Sequence, residues 1–179
     1  MKQASIYSSL FRLVLLLSFF SLNNASAENQ VNLSDISMKN AKIFNGKLIT
    51  GGQPSAEDLA KLKAMGVNNV INLRTEGEFN QFDESEQTKL LGLNYTSLEI
   101  SGATGITFEN ANKLDKILSS HQGMTLIHCA SSNRVGALIA LRAYGVQHKS
   151  LKEAIADGQK AGLKSLKEKV VKLINQREQ

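Results

Sequence analysis

Short apolar segments alternate with amphipathic segments along residues 41 to 176. Short apolar runs bounded by glycine or polar residues predict buried strands, and apolar positions at helical spacing predict helices that cover them. Strands that alternate with helices in this way are typical of an α/β domain in three layers, with a central, mostly parallel sheet flanked by helices. The predicted elements, in chain order, are a hairpin over 42–50, a helix over 55–65, a strand over 69–73, a short helix over 84–91, a strand over 94–100, a helix over 107–118, a strand over 124–128, and helices over 134–144, 151–160 and 165–176.

Local turn and cap signals support several of these boundaries. Asn45-Gly46 lies between two short strand patterns and favours a hairpin turn. Ser55, followed three residues later by Asp58, predicts a capping box at the start of a helix, and Gly66 predicts its end. These signals therefore mark the turn of the hairpin and both ends of the first predicted helix.

The N-terminal region has the features of a secretory signal peptide. Residues 1–27 contain two basic residues, an almost wholly apolar run from Leu10 to Leu22, and the small residues Ala25-Ser26-Ala27 before Glu28. The apolar run is short for a membrane span, and no second such run follows. We therefore expect export to the periplasm or the outside of the cell, with no membrane span after cleavage.

Removal of such a leader divides the chain and changes its charge. Residues 28–40 are predicted to form a loosely held polar arm, and 41–179 the folded domain. Loss of Lys2 and Arg12 would lower the net charge from +5 to +3, because the leader contains no acidic residue. This mild charge, together with 6% aromatic residues and no tryptophan, does not favour nucleic-acid binding.

Cysteine and histidine usage limits the remaining chemistry. The chain has one cysteine, so it cannot form an internal disulfide. Its three histidines and Cys129 do not follow a known metal-ligand spacing, so we expect neither a metal nor a cofactor. Cys129 would be a free thiol, exposed to oxidation in an oxidising compartment unless it is shielded.

The functional residues are concentrated where the strand over 124–128 meets the next helix. His128 and Cys129 end the strand, four small or polar residues follow, and Arg134 opens the helix. Loop N–H groups, the positive end of the helix and the Arg134 fork can converge on one anion and stabilise a thiolate. A lone cysteine can also be a small core residue, but the loop and the arginine favour a site. The predicted site residues are Cys129, Arg134 and His128 as the catalytic group, and Ala130, Ser131, Ser132, Asn133 and Arg74 as substrate contacts.

The motif His128-Cys129, a short loop and Arg134 resembles the active-site loop of the cysteine-dependent protein tyrosine and dual-specificity phosphatases. With Gly51-Gly52-Gln53-Pro54-Ser55 and Val70-Ile71-Asn72-Leu73-Arg74, it resembles a small bacterial phosphatase-like family that is also found fused to beta-lactamase-like hydrolases. The resemblance covers about residues 41 to 145. It implies a cysteine phosphatase-like fold, attack by Cys129 on a phosphomonoester, and a His128 that orders the nucleophile.

Two features of the loop depart from that phosphatase pattern. Four residues separate Cys129 from Arg134, where those phosphatases have five, and Ser132 stands where they have glycine. The shorter gap resembles the loop of rhodanese-type sulfurtransferases, which would carry a persulfide on the cysteine. Since Ser132 disfavours positive φ, we expect Asn133 to make the turn. Val135 also replaces the hydroxyl residue that commonly follows the arginine.

A phosphatase also needs an acid that protonates the leaving group. The loop 101–106 has no carboxylate, which leaves Glu99, Asp83 and Glu84 as open candidates. Arg74 could contact the substrate or pair with Glu76 or Glu78 at the surface. The sequence therefore favours an exported, slow, cysteine-dependent phosphatase whose phosphorylated substrate is unspecified, with a rhodanese-like sulfurtransferase or a non-catalytic oxyanion- or partner-binding module as alternatives.

Overall fold

A computed structural model describes residues 32 to 177 of the chain. The predicted leader and residues 28–31 of the predicted arm lie outside this part. Within it there are five strands and six helices. The strands are β1 (Lys42–Phe44), β2 (Leu48–Gly51), β3 (Val67–Asn72), β4 (Asn94–Ser97) and β5 (Met124–His128), and the helices are α1 (Ala56–Ala64), α2 (Glu84–Leu90), α3 (Phe108–Ser120), α4 (Asn133–Gly145), α5 (Leu151–Lys160) and α6 (Lys167–Arg177).

The five strands form one sheet in the order β1-β2-β5-β3-β4. Only β1 pairs antiparallel, with β2, and the other pairings are parallel. Residues of the central strands alternate between two apolar cores, because successive side chains of a strand point to opposite faces. Val70 and Leu126 belong to one core, and Ile71 and Ile127 to the other. The predicted three-layer α/β architecture is confirmed.

Helices cover both faces of this sheet. One core contains residues of α1 together with Ile36 and Met38, and the other contains residues of α3, α4, α5 and α6. The helix α4 is buried around most of its circumference, since it packs between the sheet, α3 and α5. None of the helices between residues 32 and 177 is both long enough and apolar enough to span a membrane.

Most predicted boundaries agree with the structure to within a few residues. The capping box of Ser55 and Asp58 is present, and β5 has the predicted ends. Two elements lose two or three residues at one end. The strand β4 ends at Ser97 rather than residue 100. The helix α6 begins at Lys167 rather than residue 165, and Ser165 accepts a hydrogen bond from Asn133 instead of starting the helix.

The described part of the N-terminal arm is packed rather than loosely held. Ile36 and Met38 are buried in the core beside α1. The Ser37 N–H and hydroxyl both donate to the Asp58 carboxylate at 2.8 Å. A Cβ on Gly51 would overlap the Met38 side chain, so glycine at the end of β2 allows this close contact. The expectation of a loose arm was wrong for these residues, because the apolar side chains of this otherwise polar segment pack into the core beside α1.

Two glycines bring the connection between α5 and α6 next to the start of α4. A Cβ on Gly136 would overlap the backbone of Leu163, and one on Gly158 would lie 2.7 Å from the Gly136 carbonyl oxygen. The absence of side chains at these positions lets α4 and α5 approach closely. Residues 161 to 166 therefore lie against the loop that follows β5.

Candidate active site

The loop between β5 and α4 forms one wall of a pocket of about 390 Å³. Cys129 lies at the end of β5, 1% exposed. In the register of the sheet, His128 pairs with Gly51 of β2 and with Asn72 of β3, so the segments after these three strands share one edge. Ligands commonly bind at this edge of a parallel sheet, beyond the carboxyl ends of its strands. The pocket is lined by Glu78, Gly102, Ala103, Cys129, Ser131, Asn133, Arg134 and Leu166.

The loop turns at Ser132, and the expectation that Asn133 would make the turn was wrong. Ser132 has φ of 69°, in the left-handed region, and Asn133 is already the first residue of α4. The buried Ser132 hydroxyl donates to the Ala161 carbonyl oxygen at 2.8 Å. This hydrogen bond helps to offset the cost of a left-handed conformation at a residue other than glycine.

The side chains of Ser132 and Asn133 join the loop to the connection between α5 and α6. Asn133 Oδ1 accepts from the Lys164 N–H at 2.8 Å, and its amide donates to the Ser165 hydroxyl at 2.7 Å. The Asn40 amide donates to the Ser131 carbonyl oxygen at 3.0 Å. Ser132 is buried and does not line the pocket, so any contact that it makes with a substrate would come from its backbone, whereas Asn133 lines the pocket.

Arg134 lies beside Cys129 and is held by a carboxylate that the sequence analysis did not assign to it. Its Nη1 and Nη2 donate to Oε1 and Oε2 of Glu78 at 2.8 and 2.6 Å, and Nη1 also donates to the Ile100 carbonyl oxygen at 2.7 Å. These contacts use the Nη1–Nη2 edge of the guanidinium and the outer N–H of Nη1. The pKa of Arg134 is raised, first by the hydrogen bond to Glu78 and also by Cys129.

Glu78 is the main residue that sequence reasoning missed. It had been considered only as a surface partner of Arg74, four residues earlier. Besides Arg134, its Oε1 accepts from the Thr75 N–H and hydroxyl at 3.0 and 2.8 Å. The hydrogen bond from Arg134 lowers the pKa of Glu78 to about 2 against the opposing effect of burial, so its carboxylate is ionised at neutral pH. The acidic composition of the loop after β3 was the only sequence signal.

Replacing Glu78 by glutamine should reduce stability in a pH-dependent way. Its folded pKa of about 2 lies below the ordinary value of 4.5, so its contribution is fully present above about pH 4.5 and is lost as the pH falls through 2. We expect Glu78→Gln to lower the free energy of unfolding by about 1 kcal/mol at pH 7, and by much less at pH 2. Denaturant unfolding at both pH values measures this.

The matched control is Glu76→Gln, which removes the same charge from an exposed neighbour on the same loop. It should change the free energy of unfolding little at either pH. An equal loss of stability at pH 7 and pH 2 for Glu78→Gln would show that the ion pair with Arg134 does not contribute.

His128 points away from the pocket, into a buried polar cluster. Its Nε2 lies 2.7 Å from Oε1 of Glu84, and both side chains are almost fully buried. Oε2 of Glu84 accepts from Gln53 at 3.1 Å and from Asn72 at 3.3 Å. The pKa of Tyr95, whose hydroxyl accepts from Asn72, is raised by burial. This position suits a residue that orders the end of β5, and not one that exchanges protons with a substrate.

None of the three carboxylates considered as a general acid lines the Cys129 pocket. Glu84 is engaged with His128, and Asp83 accepts from the Glu86 N–H as the N-cap of α2. Glu99 is exposed and lines a neighbouring pocket instead. Among residues 32 to 177, the only carboxylate lining the Cys129 pocket is Glu78, which is held ionised by Arg134. No group of side chains in that part of the chain has the composition of a metal site.

Arg74 lies on the same rim but does not line the Cys129 pocket. Its side chain is 11% exposed, its Nη1 donates to Gln53 at 2.9 Å, and its guanidinium lies 5.1 Å from the centre of the Phe79 ring. Its Nε is 3.7 Å from Oε2 of Glu78, too long for a hydrogen bond. The pairing with Glu78 is thus present only as a long contact, and contact of Arg74 with a substrate stays a prediction.

The fold agrees with that of solved cysteine phosphatases. A DUF442 protein of Shewanella putrefaciens superposes with a TM-score of 0.60 at 18% identity, covering 78% of this chain and 88% of the other. TpbA of P. aeruginosa, bound to pTyr, gives 0.51 at 17% identity over 72% and 78%. PTPMT1, bound to PI(5)P, gives 0.55 at 22% identity over 74% and 95%. The chain has the tyrosine phosphatase fold.

Sequence comparison gives a second, independent similarity. The chain is 32% identical over 102 residues to the beta-lactamase hydrolase-like protein of Xylella fastidiosa, which is 55% of this chain and 23% of that protein. The protein of the same name from Agrobacterium fabrum is 29% identical over 108 residues. This chain thus spans about a quarter of the length of these relatives. No protein-family model matches the chain. Both resemblances predicted from the sequence motifs are confirmed.

Proposed function

We propose that this protein is an exported cysteine-dependent phosphatase that hydrolyses phosphomonoesters. The observation that carries the proposal is the joint position of Cys129 and Arg134 in one pocket. Glu78 holds the Nη1–Nη2 edge of Arg134, and the Ile100 carbonyl oxygen accepts from the outer N–H of Nη1. The Nε–H and the second Nη2–H are left for Cys129 and a ligand. These two donors form the planar fork that two phosphoryl oxygens need.

The reaction would proceed in two displacements. The Cys129 thiolate attacks phosphorus, an S–P bond forms and the P–O bond to the leaving group breaks. Water then attacks phosphorus, which releases inorganic phosphate and returns the thiolate. Arg134 and loop N–H groups of residues 130 to 134 would stabilise the charge on the non-bridging oxygens in both steps. His128, anchored by Glu84, would keep Cys129 in place.

Residues 32 to 177 place no free carboxylic acid in the pocket, and this would limit which substrates react well. Glu78 is ionised and bound to Arg134, so it cannot give a proton to a leaving alkoxide while this pair persists. General acid catalysis contributes a factor of about 10² to 10⁴. We therefore propose slow turnover, with a strong preference for esters whose leaving groups are stable as anions, such as aryl phosphates.

The absence of a free carboxylic acid among the described residues of the pocket also favours a sulfurtransferase as the second candidate. In that reaction Cys129 attacks the outer sulfur of thiosulfate, a new S–S bond forms, and the old S–S bond breaks to release sulfite. Sulfite leaves as an anion and needs no proton from the enzyme. The persulfide sulfur would then pass to an acceptor such as cyanide. The four-residue spacing from Cys129 to Arg134 also makes the loop tight, which suits a single sulfur atom.

A comparison of the two reactions on one preparation tests the proposal. Purified protein under reducing conditions is assayed on aryl and alkyl phosphates, for binding of phosphate analogues, and for sulfur transfer from thiosulfate to cyanide. We expect phosphate analogues to bind and aryl esters to react about 10² to 10⁴ times faster than alkyl esters. Sulfur transfer without phosphate-analogue binding would support the sulfurtransferase. If the protein catalyses neither reaction but still binds oxyanions, the result would support a binding module.

Export is proposed from the charge and apolar pattern of residues 1–27. N-terminal sequencing of the processed protein should begin at or near Glu28. A full-length product in the cytoplasm would contradict it.

A further inference from the structure

A groove of about 570 Å³ lies next to the Cys129 pocket. The two share Glu78, and the groove is also lined by Ala130, the residue after the nucleophile. A group attached to a phosphate in the Cys129 pocket would therefore have this groove within reach. The cationic side chains lining it are Lys39 and Arg74, and its apolar wall includes Phe79 and Phe82, whose rings are 5.1 Å apart.

Arg74 has donors that the described residues do not use. Only one hydrogen bond joins its five side-chain N–H groups to another described side chain, that from Nη1 to Gln53. Its Nε is buried and has no hydrogen-bond partner among residues 32 to 177. A guanidinium that is 11% exposed would ordinarily be paired with an anion, because the burial of an unpaired charge is unfavourable.

The nearest carboxylate cannot satisfy Arg74, since it already serves Arg134. Oε2 of Glu78 lies 2.6 Å from Nη2 of Arg134 and 3.7 Å from Nε of Arg74. Two guanidinium groups thus share one carboxylate. The other acid lining the groove, Asp58, accepts hydrogen bonds from Ser37 and Ser55. Among the charged side chains lining the groove, the unused hydrogen-bonding capacity therefore belongs to Arg74 and to Lys39, which has no side-chain partner in the described part.

We propose that Arg74, with Lys39 of the same groove, forms a second anion subsite. It selects small phosphorylated substrates that carry another anionic group, a phosphate or a carboxylate, beyond the phosphoryl group that Cys129 attacks. Because both guanidiniums approach the same Glu78 oxygen, a phosphoryl group one bridging oxygen away from the first would lie close to Arg74. This assignment rests on the proposed phosphatase function of the Cys129 pocket.

Protection of Cys129 from a neutral alkylating reagent tests the subsite without requiring turnover. The rate of modification by iodoacetamide is measured against the concentration of inorganic phosphate and, separately, of pyrophosphate. In the wild type both anions should protect. In Arg74→Gln, the pyrophosphate concentration for half-protection should rise about tenfold or more, the loss expected for a charge-assisted hydrogen bond, while that for phosphate stays nearly unchanged. The pyrophosphate concentration for half-protection of Arg74→Lys should lie between those of the wild type and of Arg74→Gln.

The control is Arg177→Gln, which removes the same charge from the last residue of α6. The Arg177 side chain lies beside the C-terminal end of α4. Arg177 lies over the Phe108 ring near Gly145, whereas the Cys129 loop adjoins the start of that helix. It should leave both protection curves as in the wild type. Thermal unfolding of each variant checks the fold.

The possible failures are distinguishable. If phosphate protects every variant but pyrophosphate protects Arg74→Gln as well as the wild type, the subsite does not exist and the proposed function stands. If Arg74→Gln loses protection by phosphate too, Arg74 supports the Cys129 pocket itself, and the subsite assignment is wrong. If neither anion protects the wild type, the Cys129 pocket does not bind oxyanions, and both proposals fail.

Discussion

Phosphomonoester turnover should fall by a factor of about 10³ or more when Cys129 is replaced by serine, because the reaction has no other nucleophile. Cys129 is the only cysteine in the chain and lines the pocket with Arg134. Serine has nearly the same shape, and its hydroxyl stays protonated at neutral pH. Turnover is measured on an aryl phosphate under reducing conditions, with the same preparation of wild type alongside.

The substitution should not remove the oxyanion site. Arg134 remains fixed by Glu78 and the Ile100 carbonyl oxygen in the variant, so phosphate analogues should bind with an affinity similar to that of the wild type. Far-UV and near-UV circular dichroism would confirm that the fold is retained. Undiminished turnover by Cys129→Ser would exclude the proposed phosphocysteine intermediate and place the activity elsewhere.

The second large effect is expected for Arg134→Lys. Lysine retains a positive charge but loses the planar fork, so it cannot hold Glu78 with two hydrogen bonds and also offer two donors to a ligand. We expect turnover of an aryl phosphate to fall by about 10² to 10³, the range for removal of one donor that stabilises an oxyanion. Affinity for phosphate analogues, measured by calorimetry, should fall with it.

Arg142→Lys provides the matched control for this change. Arg142 is on the same helix, α4, and is also ion-paired, with Asp115 at 2.7 Å, but it is remote from the Cys129 pocket. It should keep the turnover and affinity of the wild type. If Arg134→Lys alters thermal stability but not phosphate-analogue affinity, Arg134 acts only as the partner of Glu78, and the loop N–H groups bind the anion without it.

The sequence alone was sufficient where short-range chemistry decides the structure. Asn45-Gly46 at the hairpin and Ser55 with Asp58 at the start of α1 act within a few residues, so their effects do not depend on the rest of the fold. The apolar run of β5 likewise indicates a buried strand from its own composition. The order of these elements then led to the three-layer domain, and the position of Cys129 after β5 to the candidate nucleophile.

The tertiary structure decided which distant groups meet at the nucleophile. Glu78 and Arg134 are 56 residues apart, and nothing in the local pattern distinguishes Glu78 from the other acidic residues of its loop. Likewise, Ser132 could take the left-handed turn because its hydroxyl reaches the Ala161 carbonyl oxygen, 29 residues away. Burial of Ile36 and Met38 depended on the core beside α1. Local preferences amount to about 1 kcal/mol for a residue, so a single buried contact or ion pair from a remote segment is enough to override them.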